Sequence, residues 1–257
     1  MIRFYRDSDS EEIVLLWQDA FGDGRKSVED FLNRFGENVL VYEFDEKPVS
    51  MLTALPVEID GKKGRYVYAV ATAKEYRKRG FSSRLIDYLK EYILLKGESF
   101  LVLLPANGGL FGFYEKIGFT ELCCAQDIVT SYENANDCEV EIIGAAEYLR
   151  LRDRFFGGKG YVKWDEEMLS YMKNIYGGYF VRIKRDEKII GCSFCYLKKD
   201  SVIAQELLGE DNALPKAICE YFGKSEISGV KACVNGSRYA MIYPKEYGGV
   251  YFGLGMN

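Results

Sequence analysis

Tyr66-Val67-Tyr68-Ala69-Val70-Ala71-Thr72, followed by Arg77-Lys78-Arg79-Gly80-Phe81-Ser82 and then by Leu85, Ile86, Leu89 and Ile93, is the stretch that decides the fold. The first segment reads as a strand and the second as a basic turn. The third has the apolar spacing of a helix that packs on a sheet by one face. A strand that breaks into a basic, glycine-containing turn at a helix start is a cradle for phosphate. The first helical N–H groups have no intrahelical partner, the macrodipole is positive there, and glycine lets the backbone approach an anion. Gly80 is the only glycine of the loop, so the stretch is neither a Walker A sequence nor a dinucleotide fingerprint.

Upstream, Ile2 to Tyr5 predicts a first strand, and Asp7-Ser8-Asp9-Ser10 offers caps for an amphipathic helix carrying Ile13, Leu16, Trp17, Ala20 and Phe21. A second helix is predicted from Val28 to Phe35, then strands at Val39 to Phe44 and around Val49 to Ile59, joined by the turn Asp45-Glu46-Lys47-Pro48. Gly61-Lys62-Lys63-Gly64 turns the chain back into the deciding strand. Downstream come a buried strand at Phe100 to Leu104, a short helix near Leu110 to Lys116 and a strand from Phe119 to about Thr130. The polar, aperiodic residues 132–138 read as a linker, which divides the chain into domains 1–131 and 139–257.

The second half repeats the order of the first. Asn38 to Lys47 and Gly178 to Lys188 are both strand followed by an Asp-Glu-Lys turn, and both come after two helical segments. Strands then begin at Val49 and Ile189. Another strand, Val202 to Leu208, and a helix, Asn212 to Phe222, complete the second copy. Where the first copy has its basic loop, the second has Gly209-Glu210-Asp211, which repels an anion. An internal duplication with cofactor binding lost from the second copy is the expectation.

The 257 residues are 48% apolar and 15% aromatic, which describes a globular chain of two ordinary domains and not a disordered one. A net charge of −5 with no long basic tract argues against a nucleic-acid-binding face. No apolar stretch approaches bilayer-spanning length, and the first residues lack the layout of a signal peptide. With seven cysteines, an odd number, reduced thiols in a cytoplasmic protein are expected. The absence of histidine excludes a Ser-His-Asp triad, a Cys-His pair and any His-ligated metal. Cys192-Ser193-Phe194-Cys195 lies in a strand-like run, where positions three apart face opposite ways, so buried structural thiols are expected there and no metal site.

Val70-Ala71-Thr72, the Arg77-x-x-Gly80-x-Ser82 loop, Pro105-Ala106-Asn107 and Phe113-Tyr114-Glu115-Lys116-Ile117-Gly118-Phe119 together resemble the GNAT N-acetyltransferases, over roughly the first half of the chain. Ser82 stands where that family has Gly or Ala and still permits close approach. The resemblance implies an α/β (α+β) fold of tandem GNAT-like domains, with mixed central sheets flanked by helices and a degenerate second copy. That layout is similar to the enhanced intracellular survival acetyltransferases, which acetylate amines including aminoglycosides and lysines. Those proteins add a sterol-carrier-like third domain, which 257 residues are expected to be too few to hold beside the two halves, so their substrate range is not carried over.

The implied activity is that of an acetyl-CoA-dependent acyltransferase acting on a primary amine of a small molecule or peptide, with no nucleic acid, membrane or metal involved. Self-association is left open. The resemblance places the pantetheine arm beside Val70, Ala71 and Thr72 and the pyrophosphate on Lys78, Arg79, Gly80, Phe81, Ser82 and Ser83, with Asn107 as a polar contact to the arm. It makes Tyr114 the general acid. A phenol's reference pKa of about 10 lies above a thiol's of about 8.5, and donation to the departing thiolate is expected to run downhill. A lysine-like amine near 10.4 must lose a proton first, and without histidine a carboxylate or ordered water has to take it. In the resembled proteins the chain's own terminal carboxylate enters the site, which names Asn257. A non-catalytic acyl-CoA sensor is the competing reading, which the presence of Tyr114 disfavours.

Overall fold

Each amphipathic run of the sequence becomes a helix that covers one face of a sheet. The structure, a computed structural model, describes every residue except 129–136, 159, 210, 234–235, 248–249 and 257. Most of the expected linker, Glu210 and Asn257 therefore lie outside the described residues. In chain order the elements are β1 (Ile2–Phe4), α1 (Ser10–Phe21), α2 (Arg25–Phe35), β2 (Val39–Phe44), β3 (Lys47–Ile59), β4 (Lys62–Thr72), α3 (Phe81–Leu95), β5 (Phe100–Leu103), α4 (Phe111–Lys116) and β6 (Thr120–Asp127). They continue with β7 (Cys138–Ile143), α5 (Ala145–Phe156), α6 (Glu166–Tyr176), β8 (Tyr179–Arg185), β9 (Lys188–Leu197), β10 (Ser201–Leu208), α7 (Leu214–Phe222), β11 (Glu226–Cys233) and β12 (Ser237–Tyr243). No helix among the described residues is long and apolar enough to cross a membrane.

The chain divides into two compact units. The first comprises Met1–Thr120 together with Met241–Tyr247. Its strands run in the order β1-β2-β3-β4-β5 and end with residues 241–243 of β12, which pair antiparallel with Leu101, Val102 and Leu103. Only β4 and β5 are parallel, so the sheet is mixed. Leu85, Ile86, Leu89 and Ile93 of α3 close one face over Leu52, Val67, Leu101 and Leu103. On the other face Trp17 of α1 packs its ring 5.8 Å from Tyr68. Asp9 does not cap α1 as expected. Its carboxylate takes the Arg6 N–H at 2.8 Å and the Arg3 guanidinium at 2.6 Å, which ties the first strand to the helix start instead.

The second unit comprises Glu121–Ala240 and Gly248–Asn257, with strand order β6-β11-β10-β9-β8-β7. Its core sets Val181, Ile183, Cys195 and Val202 against Leu214, Ala217 and Ile218 of α7. Cys192 and Cys195 are fully buried thiols in β9, as the strand reading expects. Arg152 of α5 pairs with Glu206 of β10 at 2.7 Å, and the Tyr148 hydroxyl donates to the same carboxylate at 2.7 Å; all three residues are buried. A buried ion pair is tolerable only with such added hydrogen bonds, because desolvation costs each charge several kcal/mol.

The two units repeat each other in detail. Both Asp-Glu turns are left-handed at both central residues, with φ of 47° and 62° at Asp45 and Glu46 and 46° and 61° at Asp186 and Glu187. These are the mirror-image turns that suit the twist of a two-residue hairpin. Both fourth strands carry a register shift against the third, and both run parallel to the next strand only over their first residues, Gly64 to Val67 and Ser201 to Ala204. The copies part at the following helix. In the second, the Asp211 carboxylate accepts the Ala213 N–H at 2.9 Å beside the start of α7 and pairs with Arg185. In the first, Phe44 holds the place of Arg185 in the hairpin and packs its ring 5.8 Å from Phe81. The second copy thus fills its helix start with its own carboxylate, while the first leaves it open.

Candidate active site

The site begins at a defect in the sheet. Thr53 pairs with Tyr68 and Met51 with Ala71, so Leu52 alone stands opposite both Ala69 and Val70. Ala69 takes up the extra residue with φ of 50°, a left-handed conformation that costs a non-glycine residue about 1–2 kcal/mol. Side chains of β3 hold the bulge: the Thr53 hydroxyl donates to the Tyr68 carbonyl at 2.9 Å and the Ser50 hydroxyl to the Ala71 carbonyl at 2.8 Å. The parallel ladder with β5 stops at Val67, while β4 itself runs on to Thr72.

The basic loop follows as a short 3₁₀ turn, Lys74–Tyr76, and two left-handed residues, Lys78 at φ 63° and Gly80 at φ 79°. The first bond of α3 runs from the Arg84 N–H to the Gly80 carbonyl at 3.0 Å, and no side chain caps the helix. The amides of Phe81, Ser82 and Ser83 are therefore without a helical partner. A Cβ built on Gly80 would meet nothing within 4 Å, so the space before these amides is open. Arg77 is engaged in holding the loop, donating to the Thr72 carbonyl at 3.0 Å, and Lys74 pairs with Asp19 at 2.5 Å. Lys78 and Arg79 are exposed and have no carboxylate partner among the described residues.

The end of β4, the loop and α4 form a cavity of about 270 Å³, lined by Val70, Thr72, Tyr76, Arg77, Lys78, Gly80, Phe81, Ser82, Leu110, Phe113 and Tyr114. One end is apolar and the other basic. Tyr114 is 6% exposed, and burial pushes its phenol up to about 12. Its ring is fixed edge-on against Phe113 at 5.0 Å and Phe119 at 5.8 Å. Lys90 of α3 donates to the Ile117 carbonyl at the end of α4 and lies 4.9 Å over the Tyr243 ring, which ties α3 to the helix carrying Tyr114.

Of the residues expected at the site, Val70, Thr72, Lys78, Gly80, Phe81, Ser82 and Tyr114 meet in this cavity. Ala71 is buried and absent from the lining. Ser83 lies one residue past the lining, and Arg79 sits on the rim with its guanidinium 5.2 Å over the Tyr76 ring. Asn107 accepts the Gly109 N–H at 3.0 Å and caps the 3₁₀ turn Gly108–Leu110 that leads into α4. Asn257, expected as the base, lies outside the described residues. The sequence reading missed Leu110 and Phe113, although Leu110 precedes Tyr114 by four residues and so shares its helix face. Tyr76 was missed too, and nothing in the strand pattern marks it.

A family model described as an acetyltransferase (GNAT) domain matches residues 1–122. Acetyltransferases of Yersinia pestis and Yersinia enterocolitica are 28% identical over 125 residues, which is 46% of this chain and 86% of theirs. Among solved structures, a GCN5-related N-acetyltransferase from Kribbella flavida superposes with a TM-score of 0.71 at 14% identity, over 94% of this chain and 70% of that one. A putative acetyltransferase from Pyrococcus horikoshii gives 0.64 at 16% identity over 100% and 93% of the two chains. Eis1 from Mycobacterium abscessus gives 0.61 at 9% over 94% and 73%. These likenesses extend the fold to nearly the whole chain, as tandem GNAT-like units. Residues 1–122 thus match the GNAT acetyltransferase family, and these likenesses support acyl transfer as the class of activity.

Proposed function

We propose that the protein transfers acetyl from acetyl-CoA to a primary amine of a small molecule or peptide. The observation that carries this reading is that one cavity joins the uncapped helix start at Phe81 and Ser82 to a buried tyrosine. The residues fit the donor: open space at Gly80, free amides at Phe81 to Ser83 and the Lys78 ammonium suit a pyrophosphate. The stretch of β4 past the end of its ladder with β5, Tyr68 to Thr72, suits the amide-bearing arm.

Tyr114 then acts at the sulfur. Complete transfer from a phenol to a thiolate runs uphill already at the reference values of about 10 and 8.5, which corrects the downhill expectation. Burial, pushing the Tyr114 phenol up to about 12, makes it more so. The Tyr114 hydroxyl donates a hydrogen bond to sulfur and hands over its proton only as the C–S bond breaks. It regains a proton from the nitrogen that has become the amide. The balance is one N–H and one C–S bond broken, one S–H and one C–N bond formed. The high pKa also keeps the phenol neutral, and so able to donate, throughout the neutral range. The free cysteines among the described residues agree with a cytoplasmic setting.

Thermal shift with acetyl-CoA tests the reading. A rise in melting temperature that grows with ligand concentration is expected. No shift at millimolar acetyl-CoA would refute it, and a shift without turnover on any amine would make the protein a sensor.

A further inference from the structure

Three of the buried polar side chains, Ser50, Thr53 and Ser193, are hydroxyls of β3 or β9, and each donates to a carbonyl of the bulged strand beside it. The strand registers align the two copies residue by residue. Ser50 stands opposite Thr72 and bonds the preceding carbonyl, of Ala71, at 2.8 Å. Ser193 stands opposite Leu207 and bonds the preceding carbonyl, of Glu206, at 2.6 Å. This serine is common to both copies and belongs to the fold. Three residues further along, Thr53 faces Tyr68 and Tyr196 faces Ile203, and here the copies part. The buried Thr53 hydroxyl donates to the Tyr68 carbonyl at 2.9 Å. The Tyr196 hydroxyl instead bonds the side chain of Gln205, which stands in the place of Val70. The residue after Tyr68, Ala69, is left-handed at φ 50°, whereas its counterpart Ala204 is not, and neither is Gln205.

That difference coincides with the point at which the strand leaves its parallel neighbour. Val202 corresponds to Val67, yet the ladder that stops at Val67 in the first unit runs two residues further in the second, to Ala204. A left-handed residue redirects a strand, and an alanine adopts that conformation only where its surroundings hold it there. The hydroxyl found in the first copy alone is the group in position to do so, because it fixes the peptide that joins Tyr68 to Ala69. Resting on the acetyl-CoA reading, we propose that Thr53, which does not line the cavity, is a positioning residue for the reaction. It holds Ala69 left-handed, ends the β4–β5 ladder at Val67 and so gives the cavity its wall of Val70 and Thr72. The second copy lacks this bond, and its strand stays on the ladder through the corresponding residue.

Calorimetric titration with coenzyme A and with adenosine 3′,5′-bisphosphate, which carries phosphates but no arm, tests this without an acceptor. Thr53→Val keeps the shape of the side chain and removes its donor. Coenzyme A affinity is expected to fall about tenfold, while bisphosphate affinity stays at the wild-type value because the basic loop is untouched. Thr53→Ser keeps the hydroxyl and stays close to wild type. Glycine takes the left-handed conformation without help. Adding Ala69→Gly to Thr53→Val is therefore expected to restore most of the lost coenzyme A affinity. If Thr53→Val melts too low to titrate, the same pair is read by melting temperature: a rise on adding Ala69→Gly supports the proposal, and no rise overturns it. Unchanged coenzyme A affinity in Thr53→Val, parallel loss of both ligands, or a double variant no better than Thr53→Val overturns it too, and leaves the acetyltransferase reading intact. Failure of the wild-type protein to bind coenzyme A removes that reading and this proposal with it.

Discussion

Tyr114 and Gly80 do different work with single atoms. For Tyr114 the relevant fact is a phenol pushed up to about 12 by burial alone. Activity is therefore expected to rise from pH 7 to 10 as a lysine-like amine loses its proton, with no falling limb from the tyrosine in that window. The same shift has a stability consequence. The native state holds this proton more tightly than the unfolded chain, so the contribution is complete below pH 10 and lost between about pH 10 and 12. Its size is about 2–3 kcal/mol, and denaturant titrations of wild type and Tyr114→Phe across that range check it. For Gly80, a φ of 79° and open space at the Cβ position separate two effects. Gly80→Val should stay folded, at a backbone cost of about 1–2 kcal/mol, and lose at least about tenfold in coenzyme A affinity by calorimetry. These residues were legible because motif spacing names them. The strand residues were less so, because the bulge at Ala69 is invisible in the sequence. Simple alternation from Tyr66 puts Val70 on the face of Tyr68, whereas the extra residue returns Val70 and Thr72 to the side of Val67, which packs on α3.

Among the elements, α4 is six residues long and gains its position from outside itself. Asn107 fixes the turn before it, and Lys90 takes the Ile117 carbonyl at its end. Lys90→Met keeps the aliphatic stem but removes the charged donor. The expected result is a fall in kcat of about tenfold with coenzyme A affinity unchanged, because α3 itself and its free amides remain. Loss of both in parallel would show that Lys90 supports the fold at large. The strands and helices of the first half could be read from periodicity, since α3 and β5 each bury a pattern of one period. The ends could not: Asp9 sits where a cap is expected, yet Arg3, close by in the first strand, draws its carboxylate away. Long-range partners of that kind leave no local signal.

At the scale of the molecule, the duplicated order of elements was legible because the two Asp-Glu turns and their flanking strands share a pattern that backbone geometry enforces. The exchange of residues 241–247 into the first unit was not, since nothing near Leu101 to Leu103 announces which strand will lie beside them. A fragment of residues 1–122 would keep the family match but bare that edge of β5. Exposed apolar edges pair with other chains, so the fragment is expected to aggregate or to lose its cooperative melt in calorimetry. A monomeric fragment with a wild-type melt would show that β12 is dispensable. The central claim is that the cavity between the end of β4, the basic loop and Tyr114 performs acetyl transfer to an amine. Its most direct test is thiol release from acetyl-CoA across a panel of primary amines, small and peptidic, with wild type and Tyr114→Phe in parallel. Amine-dependent release is predicted for the wild type, with turnover about ten- to ten-thousandfold lower in Tyr114→Phe and donor affinity little changed. Donor binding with no amine-dependent release, or equal release by both proteins, would contradict it.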